Sequence, residues 1–167
     1  LVAVVGAGNL GRHHARILSD LRGVELVGIV DSDPQRARQI ADELDVPSYN
    51  DHQQLLGKVQ AVTVATPTPA HASVALDFLE SGVHTFVEKP LAASARDGAE
   101  LVRVAADRAC VLCVGHSERF NPALKAARSV IQTPSFVEVH RLAPFDERGT
   151  EVDVVLDLMI HDIDLIV

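Results

Sequence analysis

Cysteine is scarce, bases are outnumbered by acids, and long apolar runs are missing. Each shortage removes a class of function. The two cysteines, Cys110 and Cys113, stand at a C-x-x-C spacing that can signal redox or metal chemistry. They lie inside the apolar run 109–114 (ACVLCV), which reads as a buried strand whose i and i+3 side chains point to opposite faces. Two small core residues in a reducing compartment is therefore the preferred reading. Fifteen Lys and Arg against 23 Asp and Glu leave a net charge of −8. Arg36 with Arg38 and Lys125 with Arg128 are too thinly spaced to form a dense basic patch. Nucleic acids and anionic membrane surfaces are thus excluded as partners. No apolar run approaches the ~20 residues that span a bilayer. The sequence opens on strand residues without Met or a leader, which predicts a cytoplasmic protein trimmed at that end. Internal repeats and Ser/Gly-rich linkers are also absent.

What is present is an ordinary globular composition, 47% hydrophobic and 23% charged over 167 residues, enough for one core and part of a second. Apolar, β-branched runs at 2–5, 25–30, 61–65, 85–87 and 111–114 alternate with segments of helical period at 10–21, 34–44, 69–81 and 94–107. Repeated β-then-α units predict an α/β fold, a doubly wound parallel sheet with helices on both faces. Ser32 or Asp33 before Pro34 reads as a helix start, and Gly82 after Ser81 as a stop. Residues 1–117 form this first domain. From 118 the pattern changes: a helix from Asn121-Pro122 to about Gln132, a strand of alternating polarity over 135–142, a charged loop, and an apolar helix from about Val152 to the end. These read as the beginning of a truncated α+β domain over 118–167, because one strand and its helices cannot bury their own faces. Val167 falls inside that last helix, so the chain is expected to be incomplete.

The strongest local signal is Gly6-Ala7-Gly8-Asn9-Leu10-Gly11, directly after the first strand and opening the first helix. Gly6 makes a tight turn, Gly8 lets backbone approach a pyrophosphate, and Gly11 lets helix pack on strand. The amides around Asn9 and Leu10 at the helix start would receive the phosphates. Asp31, 20 residues after Gly11, is placed to hold the ribose hydroxyls. Its charge, with that of Asp33, favours NAD over NADP, the competing view being that Arg36 or Arg38 reaches a 2′-phosphate. Lys89 ends a buried strand at the carboxyl edge of the sheet, where ligands of such folds bind.

The segment 64–90, with Ala65-Thr66-Pro67-Thr68, His71, Gly82 and Glu88-Lys89-Pro90, closely resembles the glucose–fructose oxidoreductase / inositol dehydrogenase (Gfo/Idh/MocA) family. So do Gly6–Gly11 and Gly115-His116-Ser117-Glu118-Arg119-Phe120-Asn121-Pro122. The resemblance implies an NAD-dependent oxidoreductase of the Rossmann type, a homo-oligomer when full length. It implies that Lys89 lies beside the nicotinamide and the reacting hydroxyl, and that Pro90 follows a cis peptide. It also implies that Thr66 and Pro67 line the nicotinamide pocket and that Glu88 supports the ribose side. His71 reads as structural rather than catalytic.

Asp157 and His161 stand four apart on the terminal helix. At ~100° per residue they share a narrow polar sector with Asp153 and Asp164, while Asp162 points away. A polar stripe on so apolar a helix implies a polar cavity or partners. The family's D-x-x-x-H spacing implies that Asp157 and His161 are catalytic, with His161 as general base, suited by the ordinary imidazole pKa near 6.5. A rival reading makes Asp157, His161 and Asp164 metal ligands with His116 or His140; the family's chemistry needs no metal. Residues 115–122 with 144–164 further resemble a bacterial branch that oxidises the 3-hydroxyl of UDP-N-acetylglucosamine. Arg119, Asn121 and Arg148 suit a sugar or diphosphate, or equally surface pairing and capping. The expectation is thus a dehydrogenase of a sugar or sugar nucleotide. The alternatives are a non-catalytic NAD(H)-binding module and an enzyme for a free hexose or inositol.

Overall fold

In the computed structural model, residues 1–127, 130–131, 134–142 and 152–167 are described. They divide into two units, Leu1–Val114 and Gly115–Val167. In the first unit β1 (Val2–Val5), β2 (Leu26–Val30), β3 (Ser48–Tyr49), β4 (Ala61–Val64), β5 (His84–Val87) and β6 (Leu112–Val114) form one sheet. The strand order is β3-β2-β1-β4-β5-β6, and every pairing is parallel. Helices α1 (Asn9–Asp20), α2 (Pro34–Leu44), α3 (Thr68–Glu80) and α4 (Ala95–Asp107) connect the strands. The expected doubly wound sheet is therefore present.

Alternation along the strands makes two cores. Val4 and Ile29 join Ala15, Ile40 and Ala41 in one cluster, which draws on α1 and α2. Ala3, Val5, Val62, Val64 and Val87 join Phe78, Leu79 and Leu101, from α3 and α4, in the other. Neighbouring strand residues thus enter opposite cores, as a sheet covered on both faces demands. Helix punctuation follows the chemistry read above. Asp33 accepts from the Gln35 and Arg36 amides ahead of Pro34. Ser94 accepts from the Asp97 amide, and Gly82 takes φ +79 beyond Ser81.

The register aligns the carboxyl ends of the strands. Val5 pairs with both Val30 and Val64, Val64 pairs with Val87, and Val87 pairs with Val114. Gly6, Asp31, Ala65, Glu88 and Gly115 therefore follow at one edge. Consecutive strands run outward from β1 in one direction and from β4 in the other, which makes this edge the switch point where open α/β sheets bind ligands.

Some expectations need correction. The two-residue β3 was missed, being too short to show a period. Cys110 precedes β6 rather than lying in it and is half-buried, and Cys113 is exposed. The reason is position: β6 is an edge strand, and Cys113 lines an apolar groove with Phe86, Val111 and His14 instead of entering a core.

In the second unit, α5 spans Pro122–Ala127, shorter than expected, and residues 130–131 are not helical. Residues 134–142 form no strand; Phe136, Val137, Val139 and Leu142 are exposed. An alternating segment becomes a strand only when a neighbour completes its hydrogen-bond ladder, and the described residues supply none here. The terminal helix begins with a π-helical turn, Val155–Met159, and continues as α6, Ile160–Ile166.

Candidate active site

The glycine loop is shaped by contact on two sides and left open on the third. Gly6 has φ +101, and a Cβ there would meet the Ala65 carbonyl at 2.4 Å. A Cβ on Gly11 would lie 1.7 Å from the Gly6 carbonyl oxygen. Both positions therefore exclude a side chain, one at the β1–β4 contact and one where helix meets loop. At Gly8 a Cβ would meet nothing within 4 Å. Gly8 is also the N-cap of α1, no side chain caps that helix, and Asn9 and Leu10 are exposed in its first turn. The result is an open backbone cradle at a positive helix end.

Asp31 closes one side of the cradle. Its carboxylate accepts from the Ala7 amide at 2.7 Å and the Asp33 amide at 2.9 Å, and only 9% of the residue is exposed. Arg36 lies 3.4 Å from Asp31 and 3.2 Å from Asp33, so these two acids engage the guanidinium that could otherwise attract a 2′-phosphate. The Asp33 carboxyl is held below its ordinary value mainly by the Gln35 amide, helped by Arg36.

On the other side stand the ends of β4 and β5. The Thr66 hydroxyl is buried and has no hydrogen-bond partner among the described residues, an arrangement that favours a ligand able to supply one. Pro67 caps α3. Glu88 accepts from His14 Nε2 at 2.8 Å, and its second oxygen accepts from the Lys89 amide at 3.3 Å. Burial pushes the Glu88 carboxyl up. The hydrogen bond and charge of His14, the Lys89 amide and the charge of His71 outweigh it and hold the group below its ordinary value. The Lys89–Pro90 peptide is cis. His14 was not found from the sequence, although it lies three residues after Gly11 on the same helix face. An open cradle, a carboxylate beside it and an orphaned hydroxyl across from it fit a dinucleotide.

The second unit carries the other sequence-derived candidates. Asp153 is not on the helical stripe, because its carboxylate caps the helix by accepting from the Val155 and Leu156 amides. Asp157 lies within the π-helical turn and His161 in the first turn of α6. Asp164 is engaged by Arg119, whose Nε donates at 2.7 Å, and His116 Nδ1 lies 3.7 Å away. Its carboxyl is held low chiefly by that Arg119 hydrogen bond, against the effect of burial. Asp162 is paired with Arg141, which lowers its carboxyl in the same way. Asn121 caps α5 by accepting from the Ala123 amide and donates to Glu118. Arg148 lies outside the described residues. Among the described residues no group of three or more His, Cys, Asp or Glu could hold a metal ion, and no helix is long and apolar enough to cross a membrane.

The model of the Gfo/Idh/MocA oxidoreductases, an NAD-binding Rossmann fold, matches residues 1–116. The chain belongs to this family. UDP-N-acetylglucosamine 3-dehydrogenase of Acidithiobacillus ferrooxidans is 38% identical over 97% of the chain and 51% of the relative. Its solved structure superposes with a TM-score of 0.90, covering 98% of this chain and 52% of the other. An inositol 2-dehydrogenase of Rubrobacter xylanophilus is 32% identical over 98% of this chain and 50% of its own length. The WlbA dehydrogenase of Chromobacterium violaceum, solved with NADH and UDP-GlcNAcA, is 26% identical with a TM-score of 0.71, covering 77% and 39% of the two chains. The chain thus spans about half the length of these full-length family members.

Proposed function

We propose that this chain is part of an NAD-dependent dehydrogenase acting on a secondary alcohol of a sugar nucleotide, the 3-hydroxyl of UDP-N-acetylglucosamine. The observation that carries the cofactor half is one sheet edge holding the Gly6–Gly11 cradle, Asp31, the orphaned Thr66 hydroxyl and the Glu88–Lys89–Pro90 turn. Similarity to the Acidithiobacillus dehydrogenase over nearly the whole chain supports the substrate half.

Gly8, Asn9 and Leu10 would hold the pyrophosphate, Asp31 the adenosine ribose, and Thr66 and Pro67 the nicotinamide end. When bound, NAD supplies the hydride acceptor. The Lys89 ammonium donates a hydrogen bond to the reacting oxygen and stabilises the negative charge that grows on it. His161 takes the hydroxyl proton as general base, and Asp157 orients the imidazole. Arg119, Asn121 and Arg148 are assigned to the sugar and diphosphate, and residues 118–167 to the substrate domain.

The test is NADH formation by the full-length protein with UDP-N-acetylglucosamine, free hexoses and inositol. Turnover of the UDP-sugar, abolished in Lys89→Met and His161→Asn while NAD still binds, is the expected result. Turnover of inositol or a hexose alone would overturn the substrate assignment. NAD binding without turnover of any of them would leave a binding module instead of an enzyme.

A further inference from the structure

His71 sits in the first turn of α3 and is 1% exposed. Its Nδ1 lies 2.7 Å from the carbonyl oxygen of Pro90, and its Nε2 lies 2.8 Å from the carbonyl oxygen of Thr66. A carbonyl oxygen can only accept. A neutral imidazole carries one N–H, so it would set a bare nitrogen lone pair against one of these two oxygens. Only a ring with a proton on each nitrogen satisfies both contacts.

We propose that His71 is a positioning residue: a doubly protonated ring that ties the Thr66 loop to the Pro90 carbonyl and so holds the turn that presents Lys89. The inference rests on the role given to Lys89 above. A buried cation needs a counter-charge, and the Glu88 carboxylate stands two residues before Pro90 on the same turn. The turn is then held at all three residues. Glu88 is fixed by His14 from α1, the Lys89 amide by Glu88, and Pro90 by His71 from α3. The helix that begins at the glycine loop and the helix that begins beside Thr66 thus converge on one turn. Replacing His71 leaves Lys89 and both loops chemically intact but removes the tie between them.

The experiment has two arms on the full-length protein. With 15N-histidine labelling at neutral pH, the His71 ring signals, identified by their loss in His71→Asn, are expected to show protons on both nitrogens. One bare nitrogen would overturn the charged tie. In the kinetic arm, His71→Asn and His71→Gln are compared with wild type on the UDP-sugar. The expected result is a fall in kcat on the order of 100-fold, as for a misplaced catalytic group, with NAD affinity within about threefold of wild type. Unchanged kcat in a folded variant would overturn the positioning role. Having two variants guards against one failing to fold. A wild-type protein silent towards every sugar would refute the functional reading alone, and the ring spectrum would still decide the tie.

Discussion

Substituting alanine at Gly8 and at Gly11 separates ligand binding from folding at two positions three residues apart. At Gly11 the new Cβ would sit 1.7 Å from the Gly6 carbonyl oxygen. Helix α1 must retreat by about 1.5 Å to restore contact distance, and overpacking of this kind costs ~1–3 kcal/mol. At Gly8 the Cβ meets nothing within 4 Å, and φ is −76, which any residue accepts. Alanine is a poorer N-cap than glycine but restricts the unfolded chain, so the net change in stability is within ~1 kcal/mol. The methyl group does, however, occupy the space through which a pyrophosphate reaches the first-turn amides. Losing two charge-assisted hydrogen bonds, at roughly 1.5 kcal/mol each, weakens binding about 100-fold or more. The assay is calorimetric NAD titration of the full-length variants beside their thermal unfolding. Gly8→Ala should melt near wild type and bind NAD poorly, and Gly11→Ala should melt lower. Wild-type NAD affinity in Gly8→Ala would refute the cradle as the pyrophosphate site.

Asp31→Ser should weaken NAD binding roughly 10- to 100-fold and narrow the preference over NADP, because it removes a charged acceptor and loosens Arg36; a Kd ratio unchanged between the two dinucleotides would contradict this. The Glu88 carboxyl is held below its ordinary value of 4.5 in the folded protein. Its stabilising contribution is therefore full above pH 4.5 and fades as pH falls through the lowered value. Denaturant unfolding should show the gap between wild type and Glu88→Gln closing over that range. Asn121→Ala should cost about 1 kcal/mol by uncapping α5, and Asn121→Asp should recover it. Sugar affinity lost in the aspartate variant, with stability kept, would assign Asn121 a binding role in addition to the cap.

Much of the first unit was legible because its signals are local. Buried parallel strands show as β-branched runs, and each glycine in the loop answers a steric demand visible in one short segment. Asp33-Pro34 and Ser81-Gly82 mark helix ends by rules that involve only neighbouring residues. The ties around Lys89 are different in kind. His14 and Glu88 are 74 residues apart, and His71 reaches a carbonyl 19 residues on. Nothing in a local period connects them; they meet because the parallel register brings the starts of two helices and the end of β5 to one edge. Cys113 was misread for the related reason that burial depends on a strand's place in the sheet, and an edge strand has the same apolar lettering as a central one.

The terminal helix shows how a sound periodic argument can go astray. Counting ~100° per residue placed Asp153, Asp157, His161 and Asp164 on one stripe. Asp153 instead leaves the helix to cap it, and the following turn is π-helical. A π-helical turn winds less per residue than an α-helical one, so positions counted across it drift. Asp164 is committed to Arg119 and Asp162 to Arg141, which explains two of the acids as charge-paired. Asp157 lies within that π-helical turn and His161 just after it, where an α-helical count no longer holds. π-helical turns interrupt the regular ladder and occur frequently at functional positions. The turn around Asp157 is invisible to any α-helical period, which is why the stripe was only partly legible in the sequence.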